Sequence, residues 1–529
     1  MNKNLVLAFI SGLLLASAWP TYGFAIFIFI AFVPLLLVEK NIRNASFKKK
    51  GWKLLACAYL TFLVWNGLST WWLWNSTIFG MLFAVLVNSL FMSLVFLSYH
   101  FVAKKFPKKI HFIYLPAVWM AFEQLHLEWA FSWPWLNLGN VFSEYYTWIQ
   151  WYEYTGIFGG SLWVWMVNIA LFVLIEQFLA TKNSKKLAFG IARTLLIIAF
   201  PIILSLWLYQ KEEAENKTAR VVVLQPNIDP YTEKYGRTNY ESLTDLLAIA
   251  GKHELSKTDF LIAPETSLSK LTSVDYLKVT KERVVINALT NQYTNLNFLT
   301  GADLFKLYEQ KEKPSPYANK TSRGDWVELY NAALFFNKST QEIPYYIKSK
   351  LVVGVETFPF KNILDPLLGN VMIDLGGTVS VRGVQEDRNV FSSANGEFKV
   401  GPIICYESVY GEFVTGYVKK GANFLAIITN DGWWGNTQGH KQHLSYARLR
   451  AIETRKSIAR SANTGISAFI SPKGDIIKEL GYEKRGSISH DISLNDSITF
   501  YVKHGDYIAR LGVLLAGFIL LFALARKKK

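Results

Sequence analysis

The hydrophobic positions of this sequence are gathered into long runs near its two ends. A helix needs about 20 largely apolar residues to cross a bilayer. Spans are predicted at Leu5–Ala18, Phe24–Val38, Leu54–Trp74, Ile78–Val102, Ile110–Phe131, Ile157–Ala180, Leu187–Tyr209 and Tyr507–Ala525. The pattern therefore predicts a polytopic α-helical membrane protein with about eight spans.

A polar block from about Gln210 to Asp506 separates the last run from the others, and here short apolar runs alternate with polar stretches. Short apolar runs bounded by turn residues favour strands. They predict strands at Arg220–Asn227, Phe260–Ala263, Leu296–Gly301, Asn331–Phe336, Lys399–Cys405, Phe424–Thr429 and Ile466–Ile470, with helices near Val274–Thr290 and His443–Thr454. Strands that alternate with helices indicate a layered α/β domain.

Two segments of the polar block are predicted to be long loops. Lys306–Glu328 is polar, whereas Phe358–Asn395 mixes Gly and Asp with large apolar residues such as Phe360, Leu364 and Leu368. The second segment could be an excursion into the core. Beside a bilayer, we interpret it as an arm that faces the membrane and governs the access of lipid.

The formal net charge of +16 would suit a nucleic-acid-binding protein, but its distribution indicates a membrane protein. Lys and Arg are clustered between alternate predicted spans, whereas an intervening loop such as Glu128–Gly156 contains neither and is rich in Trp. By the positive-inside rule, the amino terminus is cytoplasmic and the polar block is exported. We therefore expect seven helices in residues 1–210, an exported domain in 211–503, a final helix with a basic cytoplasmic tail in 504–529, and no nucleic-acid partner.

The first apolar run follows a lysine and ends in Ala-Ser-Ala, which would also fit a cleavable signal peptide. A Trp-Pro pair and the next apolar run follow at once, so a helical hairpin is favoured. The polar block is exported in either case.

Cys405 is the only cysteine of the polar block, and the other one, Cys57, lies in a predicted span, so the block cannot form an internal disulfide. A lone cysteine most often packs as a small hydrophobe. An unpaired thiol in an oxidising compartment is a liability unless it is shielded or used. The thiol ends a predicted strand, and Glu265 and Lys348 stand at the tips of two others. A carboxylate can take the thiol proton, and an ammonium can stabilise the thiolate and an oxyanion.

Four motifs occur in order along the block: Pro264-Glu265, Tyr346-x-Lys348-x-x-Leu351-Val352, Cys405-Tyr406-Glu407 and Asn430-Asp431-Gly432-Trp433-Trp434-Gly435. In this order they resemble the motifs of the nitrilase, or carbon-nitrogen hydrolase, superfamily. With the predicted membrane helices around them, the chain is similar to the apolipoprotein N-acyltransferase family of that superfamily.

The resemblance implies the αββα sandwich of the nitrilases, with Glu265 as general base, Cys405 as nucleophile and Lys348 as oxyanion stabiliser. It also implies three auxiliary polar residues, Glu356, Glu407 and Asn331. Tyr406 and Trp433 would line the substrate entrance. The family commonly has Leu-Val-Pro-Phe-Gly-Glu where residues 351–356 of this chain are Leu-Val-Val-Gly-Val-Glu. The glutamate is kept, but the missing proline leaves the path of residues 353–355 open.

The reaction implied by the resemblance takes place at the periplasmic side of a bacterial inner membrane. Cys405 takes a fatty acyl chain from a phospholipid as a thioester, and the α-amine of a diacylglyceryl-modified apolipoprotein then accepts it. Two substrates that use one thiol in turn predict ping-pong kinetics. No cofactor is expected. His440 and His443 lack the further ligands of a catalytic metal site, so we assign them to a loop or helix start.

Two alternatives remain open. The chain could be a membrane-tethered amidase or nitrilase in which water resolves the thioester, although seven spans are more than a tether needs. It could also be a transporter or a lipid-binding receptor with a degenerate outer domain, although the joint presence of Glu265, Lys348 and Cys405 speaks against decay.

Overall fold

The computed structural model describes residues 2–46, 48–211, 217–309, 312–357, 359 and 381–526. These residues form two compact units. The first unit comprises Met1–Leu73, Met81–Lys211 and His504–Lys529, and the second comprises Trp74–Gly80 and Glu212–Lys503. Most of the predicted apolar arm, including Phe360, Leu364 and Leu368, lies outside the described residues.

The first unit is helical. Up to the second unit, its helices are α1 (Asn2–Ser17), α2 (Ile28–Ala31), α3 (Val33–Asn44), α4 (Lys50–Thr70), α5 (Ile78–Ala103), α6 (Lys108–Glu128), α7 (Tyr152–Thr181) and α8 (Ser184–Gln210).

The second unit is built from strands and helices in alternation. Its strands are β1 (Thr218–Gln225), β2 (Phe260–Ile262), β3 (Leu268–Ser273), β4 (Asn297–Tyr308), β5 (Asn319–Lys320), β6 (Trp326–Phe336), β7 (Tyr345–Ile347), β8 (Phe391–Ser392), β9 (Lys399–Ile404), β10 (Phe424–Thr429), β11 (Ile458–Ala462), β12 (Ser467–Ile470), β13 (Ile476–Leu480) and β14 (Gly486–Ser493). Its main helices are α9 (Asn239–Ala250), α10 (Lys281–Gln292), α11 (Gly411–Lys419) and α12 (Gln438–Thr454). The short α13 (Phe500–His504) leads to α14 (Tyr507–Ala525), which belongs to the first unit.

The strands of the second unit form two facing sheets. One has the order β14-β1-β2-β4-β6-β5, with β3 beside β4 and β7 beside β6, and the other has the order β13-β12-β11-β10-β9-β8. β1 and β6 contact β11 and β9 across the interface. On the outer side of the first sheet, Leu243 and Leu246 of α9 and Ile286 of α10 join its buried core. On the second sheet, α11 contacts β9, and α12 contacts the turns that follow β9 and β10. The layers therefore have the expected αββα order.

The helices of the first unit and α14 lie at the positions of the predicted spans, but not all of them are long and apolar enough to cross a membrane. Over the described residues, six helices are long and apolar enough to cross a membrane. The helices α1 and α6 are not among these six. α1 is shorter than the others, and α6 carries Glu123, Gln124 and His126 among its apolar residues. Length and composition alone therefore give fewer spans than the eight predicted, although a helix forms at each predicted position. The chain is a multi-pass membrane protein.

The predicted loop Lys306–Glu328 is wrong at its two ends and at Asn319–Lys320, because these residues belong to β4, β6 and β5. β4 and β6 pair antiparallel as far as Tyr308 and Trp326, and β5 continues beside β6. Lys306 lies opposite Glu328 in this ladder. Opposite charges that face each other across strands stabilise a ladder.

Candidate active site

Strand ends from both sheets supply the candidate site. β2 leads through a short Ala-Pro sequence to Glu265, β7 leads directly to Lys348, and β9 leads directly to Cys405. Lys348 is tied to the first sheet by its backbone N–H, which donates to the carbonyl oxygen of Asn331 on β6 at 2.8 Å. Strand ends are fixed by the ladder behind them, so the side chains that follow are placed with little freedom.

Lys348 lies between two carboxylates. Its Nζ is 3.0 Å from Oε1 of Glu265 and 2.9 Å from Oε2 of Glu356. Asn331 Nδ2 donates to the same two side chains, at 2.7 Å to Glu265 and 3.1 Å to Glu356. The other oxygen of Glu265 accepts the backbone N–H of Asn430, which follows β10 of the second sheet, at 3.1 Å. One carboxylate thus connects the two sheets at the site.

The charges of this cluster set the protonation of its members. Burial alone would lower the pKa of Lys348, which is 1% exposed, but the charges of Glu265 and Glu356 outweigh burial and raise it. Burial would raise the pKa of Glu356, but the charge of Lys348 outweighs it and the pKa is lowered. At neutral pH the lysine is therefore an ammonium and Glu356 a carboxylate.

Cys405 is buried, at 6% exposed, and its backbone has a φ of 51°, in the left-handed region. Burial first, and then the charge of Glu265, raise the pKa of its thiol, while the charge of Lys348 opposes them. The resting thiol is therefore protonated, and a base must take its proton when it attacks. Thr266, directly after Glu265, also has a positive φ, of 46°. Left-handed backbone is costly for residues with a β-carbon and recurs at functional sites.

Glu407 supports the lysine through the main chain. Its Oε1 accepts the Tyr346 hydroxyl and the backbone N–H of Ser349, both at 2.6 Å, and its Oε2 accepts the backbone N–H of Ile404 at 2.8 Å. It therefore links both sides of Lys348 to the end of β9. Burial raises the pKa of Glu407.

The turn that lacks the family's proline still presents Glu356 to the lysine. The backbone N–H of Glu356 donates to the carbonyl oxygen of Val352 at 2.8 Å, and its Oε2 accepts the backbone N–H of Val352 at 2.9 Å. Gly354, with a φ of 85°, supplies the left-handed position that closes the turn. Gly354 thus provides the bend in residues 353–355, whose path the sequence did not predict.

The two aromatic residues expected at the substrate entrance differ in exposure. Trp433 is half-buried, and its ring centroid lies 5.0 Å from that of Tyr231. Tyr406 is buried, and its ring packs edge-on against Tyr410 at 5.2 Å. Of these two residues, Trp433 is the one whose side chain keeps exposed surface.

Sequence reasoning missed several buried charges near the site. Lys234 is 6% exposed, its Nζ donates to the Thr266 hydroxyl, and it lies 5.9 Å from the Trp433 ring centroid. Burial lowers the pKa of this lysine, against the charges of Asp303 and Glu265. A lysine in the polar stretch after β1 carries no sign of burial in the sequence.

The ion pair between the partly exposed Arg382 and the buried Asp303 was also missed. Arg382 lies 2.6 Å from Asp303, and its charge acts on Glu356. Asp303 lies opposite Asn331 across β4 and β6, and this register is known only from the structure. The pairing was not predicted because both residues lay in or beside segments assigned to loops.

His440 and His443 lie in the first turns of α12, where the sequence had placed a helix start. Of the two, His443 forms a group with Cys405 and Asp431 whose ligand atoms lie within 4.8 Å of one another. The carboxylate of this group is already engaged by the guanidinium of Arg460, at 2.5 Å, and by the His443 ring, at 3.0 Å. We therefore assign no metal to it.

The four-layered αββα fold indicates a protein of the carbon-nitrogen hydrolase class, and comparison with known protein families agrees with it. Residues 315–500 match the family model described as carbon-nitrogen hydrolase, and this range holds Lys348, Glu356 and Cys405 but not Glu265. Residues 11–170, in the helical unit, match the model described as apolipoprotein N-acyltransferase N-terminal domain.

The chain belongs to the apolipoprotein N-acyltransferase family. It is 28% identical to the apolipoprotein N-acyltransferase of Chlorobaculum tepidum, over 100% of this chain and 98% of the relative. It is 24% identical to that of Geobacter metallireducens, over 100% and 96%, and 26% identical to that of Rickettsia typhi, over 91% and 90%. Among solved structures, a nitrilase-superfamily amidase of Nesterenkonia is 14% identical, with a TM-score of 0.38 over 56% of this chain and 98% of that one.

Proposed function

We propose that this acyltransferase moves a fatty acyl chain from a phospholipid to the α-amine of a lipoprotein's diacylglyceryl-cysteine, with Cys405 as the intermediate carrier. The observation that carries the proposal is the sharing of Lys348 between Glu265 and Glu356 beside a buried thiol. An acid-base carboxylate, a fixed ammonium and a thiol are the groups that acyl exchange through a thioester needs.

In the first half-reaction, Glu265 accepts the proton of the Cys405 thiol as the sulfur attacks an ester carbonyl of the phospholipid. The ammonium of Lys348 stabilises the oxyanion of the tetrahedral intermediate. The carbon-oxygen bond to the glycerol then breaks, and the proton held by Glu265 passes to the leaving oxygen. A thioester on Cys405 and a lysophospholipid result.

In the second half-reaction, the α-amine of the lipoprotein attacks the thioester carbonyl. Glu265 accepts a proton from the amine, Lys348 again stabilises the oxyanion, and the carbon-sulfur bond breaks. The proton on Glu265 returns to the departing sulfur, which restores the thiol. Each substrate uses the same thiol in turn, and the reaction is ping-pong.

We further propose that the chain lies in the bacterial inner membrane with residues 211–503 on the periplasmic side and the tail after 504 in the cytoplasm. The support is the alternation, along the chain, of loops that carry Lys and Arg with loops that carry neither. A phospholipid and a lipoprotein that are both anchored in the periplasmic leaflet of this membrane would both reach an enzyme placed in this way.

A reporter enzyme fused after Lys186 is expected to behave as cytoplasmic, and one inserted in the exposed turn at Arg323 and Gly324 as exported. Paired reporters, one active only in the cytoplasm and one only after export, measure this directly. The opposite activities at the two positions would overturn the proposed orientation.

Mass spectrometry of a model lipoprotein's amino-terminal peptide tests the transfer itself. With the full chain and phospholipid, a diacylglyceryl peptide with a free amine should gain one fatty acyl group, whereas the same peptide with an acetylated amine should gain none. Release of free fatty acid without acylation of the peptide would support the hydrolase alternative. Absence of both products would support a receptor or transporter and overturn the proposal.

A further inference from the structure

A second group of buried side chains surrounds the backbone of Cys405, and none of them takes part in the steps above. The carbonyl oxygen of Cys405 lies 2.8 Å from Oγ of Ser408 and 3.1 Å from Nε2 of His443. Ser408 Oγ and His443 Nε2 are themselves 2.9 Å apart. The three atoms form a closed triangle of hydrogen-bonding contacts.

The other side of the His443 ring is fixed as well. Its Nδ1 lies 3.0 Å from Oδ1 of Asp431 and 3.2 Å from the guanidinium of Arg460. Asp431 is anchored in turn by Arg460 at 2.5 Å and by the Thr429 hydroxyl at 2.7 Å. The side chains of His443, Asp431 and Arg460 are fully buried. The imidazole is therefore held between a charged pair and the main chain of the nucleophile.

The charges around the ring keep Asp431 ionised. Burial would raise its pKa, but the charge of Arg460, followed by that of His443, lowers it. Burial lowers the pKa of His443, and the charge of Asp431 opposes this. A hydrogen bond to the Cys405 carbonyl, which only accepts, places a proton on Nε2 of His443, and Nδ1 can then accept from the guanidinium of Arg460.

The contact matters because the Cys405 backbone is left-handed. Such a conformation is disfavoured for a residue with a β-carbon and persists only where its surroundings impose it. The peptide unit is planar, so holding the Cys405 carbonyl also fixes the plane that joins it to Tyr406. The direction of the Cα–Cβ bond, and with it the thiol, follows from the same constraint.

We propose that His443 is a positioning residue for the nucleophile: with Ser408 it holds the Cys405 carbonyl so that the thiol faces Glu265 and Lys348. His443 lies on α12, Asp431 after β10 and Arg460 on β11, so the second sheet and its helix support the thiol from behind. The inference rests on the proposed role of Cys405 as the acyl carrier.

The test is a single-turnover measurement of thioester formation on the full chain, with phospholipid as donor and no acceptor. His443→Ala is expected to lower the maximal rate on the order of 10²-fold, the cost of a misplaced reacting group. The phospholipid concentration at half-maximal rate should change little, whereas the unfolding temperature should fall, because the substitution removes a fully buried ring and its hydrogen bonds. His443→Gln, whose amide nitrogen can reach the same carbonyl, should recover most of the rate.

His440→Ala is the matched control. His440 lies on the same helix and is also buried, but its ring stacks on Tyr482 with centroids 4.2 Å apart. Its removal should leave the rate unchanged. A folded His443→Ala protein with the normal rate, or an equal loss in His440→Ala, would overturn the inference.

Ser408→Ala decides the matter if His443→Ala does not fold. It removes one corner of the triangle and little volume, and the loss of one hydrogen bond should lower the rate about tenfold. A normal rate in Ser408→Ala would then overturn the inference. If the wild-type chain itself forms no thioester on Cys405, the proposed function fails instead, and the two failures are distinguished.

Discussion

Cys405→Ala is expected to abolish both the thioester and the N-acylation of a lipoprotein, while the chain remains folded. No thioester can form without this sulfur, and the loss of one buried atom should cost roughly 1 kcal/mol of unfolding free energy. The measurement is incubation with a phospholipid labelled in its acyl chain, without acceptor, followed by hydroxylamine, which cleaves thioesters. The label should be found on Cys405 of the wild type and should be absent from the Cys405→Ala protein.

Cys57→Ala is the control for this experiment, because Cys57 is the other cysteine of the chain and is also buried, in α4. It should keep both the label and the activity. A Cys405→Ala protein that still N-acylates its lipoprotein would refute the mechanism. Label that is lost rapidly to water without acceptor would instead favour the hydrolase alternative.

The protonation of Cys405 adds a pH dependence to the same experiment. Burial and the charge of Glu265 raise the pKa of this thiol. Since the thiolate is the reactive form, alkylation by a small uncharged reagent should still accelerate with pH above the ordinary cysteine pKa of about 8.5. A plateau near that value would show that the thiol is not buried as described.

Lys348→Met is expected to lower the rate of thioester formation by on the order of 10²- to 10³-fold, the usual effect of removing an oxyanion donor. The substitution also leaves Glu265 and Glu356 without their shared cation. Removing one partner of a buried ion pair costs about 3 to 5 kcal/mol of unfolding free energy. Single-turnover labelling and thermal unfolding should therefore both change.

The double variant Lys348→Met with Glu356→Gln separates these two effects. It removes one negative charge together with the positive one, so the unfolding temperature should partly recover while the labelling rate does not. Lys350→Met is the matched control, because Lys350 lies two residues along the chain, half-buried, with its ammonium 4.9 Å from the centroid of the Tyr410 ring. A Lys348→Met protein that labels at the normal rate would exclude the lysine from the reaction.

The site residues that follow apolar strands could be predicted from the sequence, because the end of an apolar run indicates where the strand ends. The runs before Glu265 and Cys405 are of this kind, and the structure has strands at Phe260–Ile262 and Lys399–Ile404. Lys348 follows Tyr345–Ile347, in which two of the three residues are tyrosines, and its position was supported by the resemblance more than by the pattern.

The parts that could not be predicted depend on partners far away in the chain. Lys234 appears in the sequence as one more solvated lysine, and only the fold buries it beside Thr266. His443 bonds the carbonyl of Cys405, 38 residues away, and periodicity within α12 gives no sign of it. Burial and hydrogen bonding across the sandwich are properties of the tertiary structure, and local patterns do not encode them.

The pairing of β1 with β14 places the first and last strands of the catalytic unit side by side, with Thr218 opposite Ser493. The polypeptide therefore enters and leaves this unit at neighbouring points. Domains whose termini lie close together tolerate insertion into a host protein, because neither partner has to stretch to accommodate the other. Such a unit can be inserted in one piece into a loop between two membrane helices.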